Sequence, residues 1–73
     1  MVNYRVIADG IKIRTGPSLD YTATGMVFYG DIIYGASYPF SNEGKEWVSF
    51  TDSFGNTRYL CFYDGKDFLL DAL

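Results

Sequence analysis

Residues 47–62, W-V-S-F-T-D-S-F-G-N-T-R-Y-L-C-F, contain two apolar runs joined by the segment 52–56, which is rich in turn-forming residues. In each run large apolar residues occupy every second position, the period of a β-strand with one buried face. Asp, Ser, Gly and Asn in the connecting segment favour a tight turn. The stretch therefore predicts a β-hairpin, with Trp47 and Tyr59 on the face opposite to the core. Its inward positions are Val48, Phe50, Leu60 and Phe62.

The same pattern extends over the rest of the chain. Short apolar runs are separated by turn signals about every 8–12 residues, as expected of small all-β proteins. Asp9-Gly10 predicts a two-residue hairpin connection, Gly30-Asp31 a turn, and residues 39–45 a loop. Five or more short strands in 73 residues must curl around one core, so we predict an all-β fold, a small barrel formed by a single domain over residues 1–73. The predicted strands cover residues 4–8, 11–14, 25–29, 32–34, 47–51 and 58–62.

The composition excludes several classes of partner. The net charge is −3 and no basic run is present, which argues against nucleic acids and anionic membranes, because both are bound through clustered Lys and Arg. No apolar run approaches the roughly 18 residues that a membrane span needs, so we expect no membrane insertion. Cys61 is the only cysteine and cannot form an internal disulfide.

The residue types also argue against catalysis. The chain has no His, so it cannot form a Ser-His-Asp or Cys-His arrangement or a metal site that contains His. Cys61 has no imidazole to activate it, and its strand position predicts a half-buried packing residue. The aspartates lie mostly at turns, where their side chains bond to nearby backbone. We therefore predict a non-enzymatic protein with no catalytic residues, no metal site and no cofactor.

Residues 10–18, G-I-K-I-R-T-G-P-S, predict a short strand that runs into a rigid loop. Alternation directs Ile11 and Ile13 inward and Lys12 and Arg14 outward. Gly16-Pro17 ends the strand because Pro has no N–H to donate. Tyr21, at the end of the loop, is predicted to pin the loop to the barrel.

Two stretches carry a resemblance to a known family. Residues 8–18, A-D-G-I-K-I-R-T-G-P-S, resemble the opening of a bacterial SH3 (SH3b) domain. Residues 44–60, G-K-E-W-V-S-F-T-D-S-F-G-N-T-R-Y-L, resemble its second half, in the subtype attached to phage endolysins and lysostaphin-like peptidoglycan hydrolases. The similarity spans residues 4–62 and implies a small SH3-like β-barrel.

The resemblance implies a non-catalytic module that binds the peptidoglycan of Gram-positive bacteria and holds a covalently linked hydrolase there. Such a module acts at the cell wall, as part of a secreted or phage-released protein. We accordingly expect this chain to be a module of a longer protein, with Met1 added for expression. Ala36 stands where glycine-bridge binders of the family carry an acidic residue, which argues against a pentaglycine ligand. The predicted ligand-binding residues are Arg14, Thr15, Tyr38, Trp47 and Tyr59.

The residues themselves leave alternatives open. Tyr59 suits either ligand contact or packing, and Trp47 suits packing over the end of the barrel better than ligand contact. The Arg14 guanidinium can grip a ligand carboxylate or form a surface pair with Asp20 or Glu43.

Two other functions compete with wall binding. The first is a structural or interaction domain that docks a neighbouring domain or a dimer partner through exposed aromatic residues. Phe28, Tyr29 and Tyr34 are the candidates, because together they form an unusually apolar group. The second is a reader of proline-rich peptides, which analogy with signalling SH3 domains alone suggests.

Overall fold

Eight short β-strands and no helix make up the chain in a computed structural model that describes all 73 residues. The all-β prediction is therefore confirmed, and the arrangement is consistent with a small SH3-like fold. No helix able to cross a membrane is present. The strands are β1 (Val2–Val6), β2 (Gly10–Arg14), β3 (Ala23–Phe28), β4 (Ile32–Ala36), β5 (Phe40–Asn42), β6 (Lys45–Thr51), β7 (Thr57–Tyr63) and β8 (Leu70–Ala72).

The strands form two sheets in which every pairing is antiparallel. The smaller sheet has the order β4-β1-β8, and the larger has the order β3-β2-β7-β6-β5. Single backbone hydrogen bonds join the sheets at two places. Ser37 N–H donates to Ser49 O over 2.8 Å, and Leu69 N–H donates to Phe62 O over 2.8 Å.

The core lies between the two sheets and draws on both of them. In the larger sheet Ile11, Val48 and Leu60 are buried as predicted, while the inward-facing residues Ile13, Phe50 and Phe62 are half-buried and pack against the core. The other buried members of the core are Tyr4, Val6, Ile33, Ala36 and Leu70. Alternation thus identified the inner face of the larger sheet correctly, because its side chains point to opposite faces in turn.

Tyr4 places a hydroxyl group in this core, where the group has a hydrogen-bond partner. Only 1% of Tyr4 is exposed, and its hydroxyl donates to Ser37 O over 2.8 Å. Burial raises the pKa of this phenol, and the nearby Tyr38 adds to the effect. The ring packs edge-on against Phe62 with centroids 5.8 Å apart. Tyr4 therefore fills the core while bonding to the segment that follows β4.

The predicted hairpin at Asp9-Gly10 is wrong. Strands β1 and β2 do not pair, because β1 lies between β4 and β8 while β2 lies in the other sheet. The chain crosses from one sheet to the other at this point. The turn at Gly30-Asp31 is confirmed: Asp31 N–H donates to Phe28 O, and the Asp31 carboxylate accepts from Phe28 N–H at 2.8 Å. It too connects the two sheets, since β3 pairs with β2 and β4 with β1.

The prediction of a loop over residues 39–45 is also wrong in part. Residues Phe40–Asn42 form β5, which pairs with β6 at the edge of the larger sheet. The predicted hairpin of β6 and β7 is confirmed, with Val48 opposite Leu60 and Ser49 opposite Tyr59. Strand β5 was missed because a three-residue strand beside Pro, Ser and Asn has too few positions to display alternation.

Candidate functional site

The outer face of the larger sheet carries most of the predicted ligand-binding residues. Arg14 of β2 and Tyr59 of β7 are direct partners across two neighbouring strands. Tyr59 is half-buried, and its ring packs edge-on against Phe40 of β5, with centroids 6.2 Å apart and planes at 84°. We call these three side chains, Phe40, Tyr59 and Arg14, the outer row. The small residue Ser49 of β6 is the register partner of Tyr59. The outer row therefore combines two aromatic rings and a guanidinium.

The guanidinium of Arg14 holds the loop that follows it. Its Nη1 donates to Leu19 O at 3.1 Å and to Tyr21 O at 2.9 Å. The alternative pairing of Arg14 with Asp20 or Glu43 is wrong, since the one ion pair of the chain joins Arg58 to Asp52. Arg14 Nε and Nη2 bond to no protein atom, so part of the guanidinium stays available to a ligand.

The loop over residues 15–22 is closed at its base and filled by one ring. Thr15 N–H donates to Thr22 O over 3.1 Å, and Thr15 itself is exposed beside Arg14. A Cβ built on Gly16 would lie 2.5 Å from the ring of Tyr21, so the ring rests directly on the glycine. Tyr21 therefore packs within the loop, where only a glycine leaves room for its ring, while the predicted pinning of the loop to the barrel stays a prediction.

Two side-chain hydrogen bonds attach this loop to the end of β5 and to the turn that follows it. Asn42 Nδ2 donates to Pro17 O over 2.7 Å. The hydroxyl of Ser18, which is buried, donates to Glu43 Oε2 over 2.9 Å. Glu43 adopts a left-handed backbone with φ of 53°, and Gly44 follows it at φ of 77°. The loop is therefore held at both sides, by β2 and by the β5–β6 turn.

Trp47 points to the outer face but is covered. Only 1% of its surface is exposed, and its Nε1–H donates to Asn42 O over 3.2 Å. Asn42 thus bonds to the indole through its backbone carbonyl and to the loop through its side-chain amide. The geometry favours the packing interpretation of Trp47, because almost none of its surface is accessible to a ligand.

Trp47 is one of the residues around an open pocket of about 290 Å³, which we call the Trp47 pocket. Leu19 contributes to its wall from the loop, and Cys61 from the position opposite Trp47 in β7. Burial raises the pKa of the Cys61 thiol, and the carboxylate of Asp64 adds to the effect. The buried position of Cys61 agrees with its predicted packing role. Other residues of the pocket wall are Lys12, Arg14, Lys45, Asp64 and Leu69.

Tyr38 lies apart from the outer row. It is 73% exposed and lines a different pocket, of about 340 Å³, together with Ser49 and Thr57. Ser49 lies between this pocket and the outer row, because it faces the pocket and is the register partner of Tyr59. Ala36 lines the same pocket but has no exposed surface. The structure brings Arg14, Trp47 and Tyr59 together, with Thr15 next in the chain, and leaves Tyr38 at a neighbouring surface.

Sequence reasoning missed four residues of this region. Phe40 was assigned to a loop, so its contact with Tyr59 had no sequence signal. Ser49 was overlooked because a single serine in a strand carries no distinguishing pattern. Alternation places Lys12 on the outer face with Arg14, but nothing in the sequence gives it a role beyond a solvent-facing cation. Lys45 falls in the predicted loop over residues 39–45, so the sequence gives no signal that it lies near Lys12.

The structure contains no group of three or more His, Cys, Asp and Glu side chains that could hold a metal ion. In comparisons with known proteins, no family model matches this sequence, and no curated protein or solved structure matches it significantly.

Proposed function

We propose that this chain is a non-catalytic module that binds the peptidoglycan of Gram-positive bacteria. It would direct a linked peptidoglycan hydrolase to the wall, within a secreted or phage-released protein. The observation that carries the proposal is the outer row, in which Arg14 lies directly opposite Tyr59 and Tyr59 packs on Phe40. The resemblance of residues 8–18 and 44–60 to SH3b domains supplies the ligand class.

The chemistry of the outer row suits a wall peptide. A tyrosine ring offers a flat apolar face and a polar tip, and it loses little conformational entropy when it is fixed by a ligand. The free guanidinium nitrogens of Arg14 can donate to a carboxylate or to amide carbonyls. Wall peptides contain both of these acceptor groups. The outer row therefore offers the apolar faces and the hydrogen-bond donors that a short polar peptide can use.

The loop beside the row is organised before any ligand arrives. Arg14, Asn42 and Ser18 hold it by hydrogen bonds of 2.7–3.1 Å. A loop that is already ordered loses less entropy on binding, so more of the contact energy appears as affinity. This favours a binding role for the rim that the loop forms.

The direct test is binding of a fluorescent fusion of the chain to purified Gram-positive cell walls. We expect Tyr59→Ala to weaken wall binding by about tenfold or more, as for the central aromatic residue of a binding surface. The matched control is Tyr34→Ala, which removes an exposed tyrosine from the other sheet and should leave affinity unchanged. Circular dichroism checks that both variants fold. Failure of the unmodified fusion to bind walls of any Gram-positive species would refute the proposal.

A second candidate function is docking of another protein surface. Phe28, Tyr29 and Tyr34 are each more than half exposed, and β3, which ends at Phe28, is an edge strand of the larger sheet. Edge strands and exposed apolar side chains are both typical of protein contacts. Sedimentation of the chain at several concentrations tests self-association. Dimerisation that Tyr29→Ser abolishes, together with absence of wall binding, would favour this function over the first.

A further inference from the structure

Positive charge is concentrated at the Trp47 pocket. The chain has six Lys and Arg residues and a net charge of −3. Three of the six, Lys12, Arg14 and Lys45, line this one pocket, while Asp64 is the only acidic residue in its wall. An acidic protein thus contains one locally basic cavity.

The three cations have no carboxylate partner in the protein. The single ion pair of the chain, between Arg58 and Asp52, lies elsewhere. The Asp64 carboxylate is occupied by the backbone, since its Oδ1 accepts from Lys66 N–H at 2.8 Å and Asp67 N–H at 2.7 Å. Asp64 still interacts electrostatically with Lys45, so the wall sets three cations against one carboxylate, and this excess of positive charge favours an anionic ligand.

The rest of the wall is apolar and the space is small. Trp47, Cys61, Leu19 and Leu69 line the pocket beneath the cations. Its volume of about 290 Å³ lies at the lower end of the usual range of ligand pockets, roughly 300–1,000 Å³. The space suits one or two small residues of a peptide.

We propose that the Trp47 pocket binds the free C-terminal carboxylate of a short peptide with small apolar side chains. The ammonium groups of Lys12 and Lys45 pair with the carboxylate, and the last side chains lie against Leu19 and Leu69. This inference deepens the proposed function and depends on it for the source of the ligand, the uncrosslinked end of a wall peptide. It places the C-terminal residue of the peptide in the Trp47 pocket and the preceding residues of the peptide along the outer row.

The test uses small probes of defined chemistry. N-acetyl-D-alanyl-D-alanine, its C-terminal amide and the L,L isomer of the acid are each titrated into the chain. Amide chemical shifts in nitrogen–proton correlation spectra report binding. We expect the D,D acid to shift residues around Lys12, Lys45 and Cys61, and the amide to shift none of them. Equal binding of the L,L acid would identify protein C-termini in general, and not wall peptides, as the source.

Charge variants provide the second arm. The double variant Lys12→Gln/Lys45→Gln should bind the D,D acid at least about tenfold more weakly, since an exposed and a half-buried lysine are lost without any change to the core. The control Lys66→Gln removes the same kind of charge from an exposed turn outside the pocket and should bind normally. Raising the salt concentration should weaken binding to the unmodified chain more than to the double variant.

The results separate this inference from the proposed function. Equal binding of the acid and the amide, or binding of neither while the fusion still decorates cell walls, would overturn the pocket assignment and leave the wall-binding proposal standing. Binding of the acid without any binding to walls would keep the pocket and overturn the proposed function. Unchanged affinity in the double variant would show that the two lysines do not make the contact.

Discussion

The loop over residues 15–22 and the hairpin turn over residues 52–56 both leave the larger sheet, but they are held in opposite ways. In the hairpin turn every bond is local, with Asp52 Oδ1 accepting from Phe54 N–H and Asn56 N–H at 2.9 Å each. The loop depends on partners 25 positions away, through the bonds from Asn42 to Pro17 and from Ser18 to Glu43. The turn therefore depends mainly on its own residues, whereas the loop combines local bonds with bonds that can form only after β5 and β6 have assembled.

The largest expected difference comes from removing one aromatic residue near each segment. These are Trp47, whose indole bonds to the same Asn42 that holds the loop, and Phe54 in the hairpin turn. Trp47→Ala should lower the free energy of unfolding by about 3–5 kcal/mol, because it empties a fully buried site. Phe54→Ala, in the hairpin turn, removes a side chain that is 88% exposed and should change stability by less than about 0.5 kcal/mol. Chemical denaturation monitored by circular dichroism measures both. Equal losses would show that the two segments contribute alike to the fold.

The contact between Gly16 and Tyr21 offers a second test within the loop. Gly16→Ala should destabilise the protein by about 2 kcal/mol, since the added methyl group must displace the tyrosine ring. The double variant Gly16→Ala/Tyr21→Ala should recover part of this loss, because the ring that clashes is absent. A cost that persists unchanged in the double variant would place the strain in the backbone and not in the ring contact.

The bond from Asn42 to Pro17 tests the dependence on distant partners. Asn42→Ala should cost about 1 kcal/mol in unfolding free energy. Because the bond is specific to the loop, we also expect faster hydrogen exchange at the amides of residues 18 and 21, which bond within the loop. The control Ser41→Ala changes an exposed neighbour and should alter neither the unfolding free energy nor the hydrogen exchange of the loop. Exchange that accelerates equally throughout the larger sheet would contradict a local role.

The hairpin turn gives the smallest effect, and it depends on pH. Backbone bonds from Asn56 and Phe54, with the nearby Arg58, lower the pKa of Asp52 below its ordinary value of 3.8. A lowered pKa in the folded state means that the carboxylate stabilises the fold above its ordinary pKa. This contribution is lost as the pH falls through the lowered pKa.

Asp52→Asn should therefore be slightly less stable than the unmodified chain at neutral pH, because it keeps an acceptor but loses the charge. The difference should shrink below pH 3.8 as the carboxylate of the unmodified chain becomes protonated. Thermal unfolding of both proteins between neutral and acidic pH measures this change. A difference that stays constant over the whole range would show that the charge of Asp52 contributes nothing.

Much of the larger sheet could be predicted because its signals are local. The alternation around Val48 and Leu60 assigned the core face, and the residues of the 52–56 turn assigned the hairpin. The same reasoning failed at Asp9-Gly10, where a good turn signal joins strands of different sheets. A turn dipeptide shows that the chain changes direction, but the partner of each strand is decided by which apolar faces meet.

The candidate site was predictable only in outline. The alternation of side chains along each strand placed Arg14 and Tyr59 on the outer face, and the structure makes them direct partners. Side-chain alternation could not show that the Arg14 guanidinium donates hydrogen bonds to Leu19 and Tyr21, nor that Trp47 is buried. The first fact depends on the path by which the loop returns to Arg14, and the second on the packing around Trp47, and neither path nor packing is encoded in side-chain alternation.

The amino-acid sequence by itself determined the strand-forming runs, the inner face of the larger sheet and the self-contained turn at Asp52, because each follows from interactions among residues close together in the chain. The tertiary structure alone decided the division into two sheets, the burial of Trp47 and the gathering of Lys12, Arg14 and Lys45 around one pocket. Side chains that are separated in sequence acquire common surroundings only when the sheets have packed, and a binding surface depends on those surroundings.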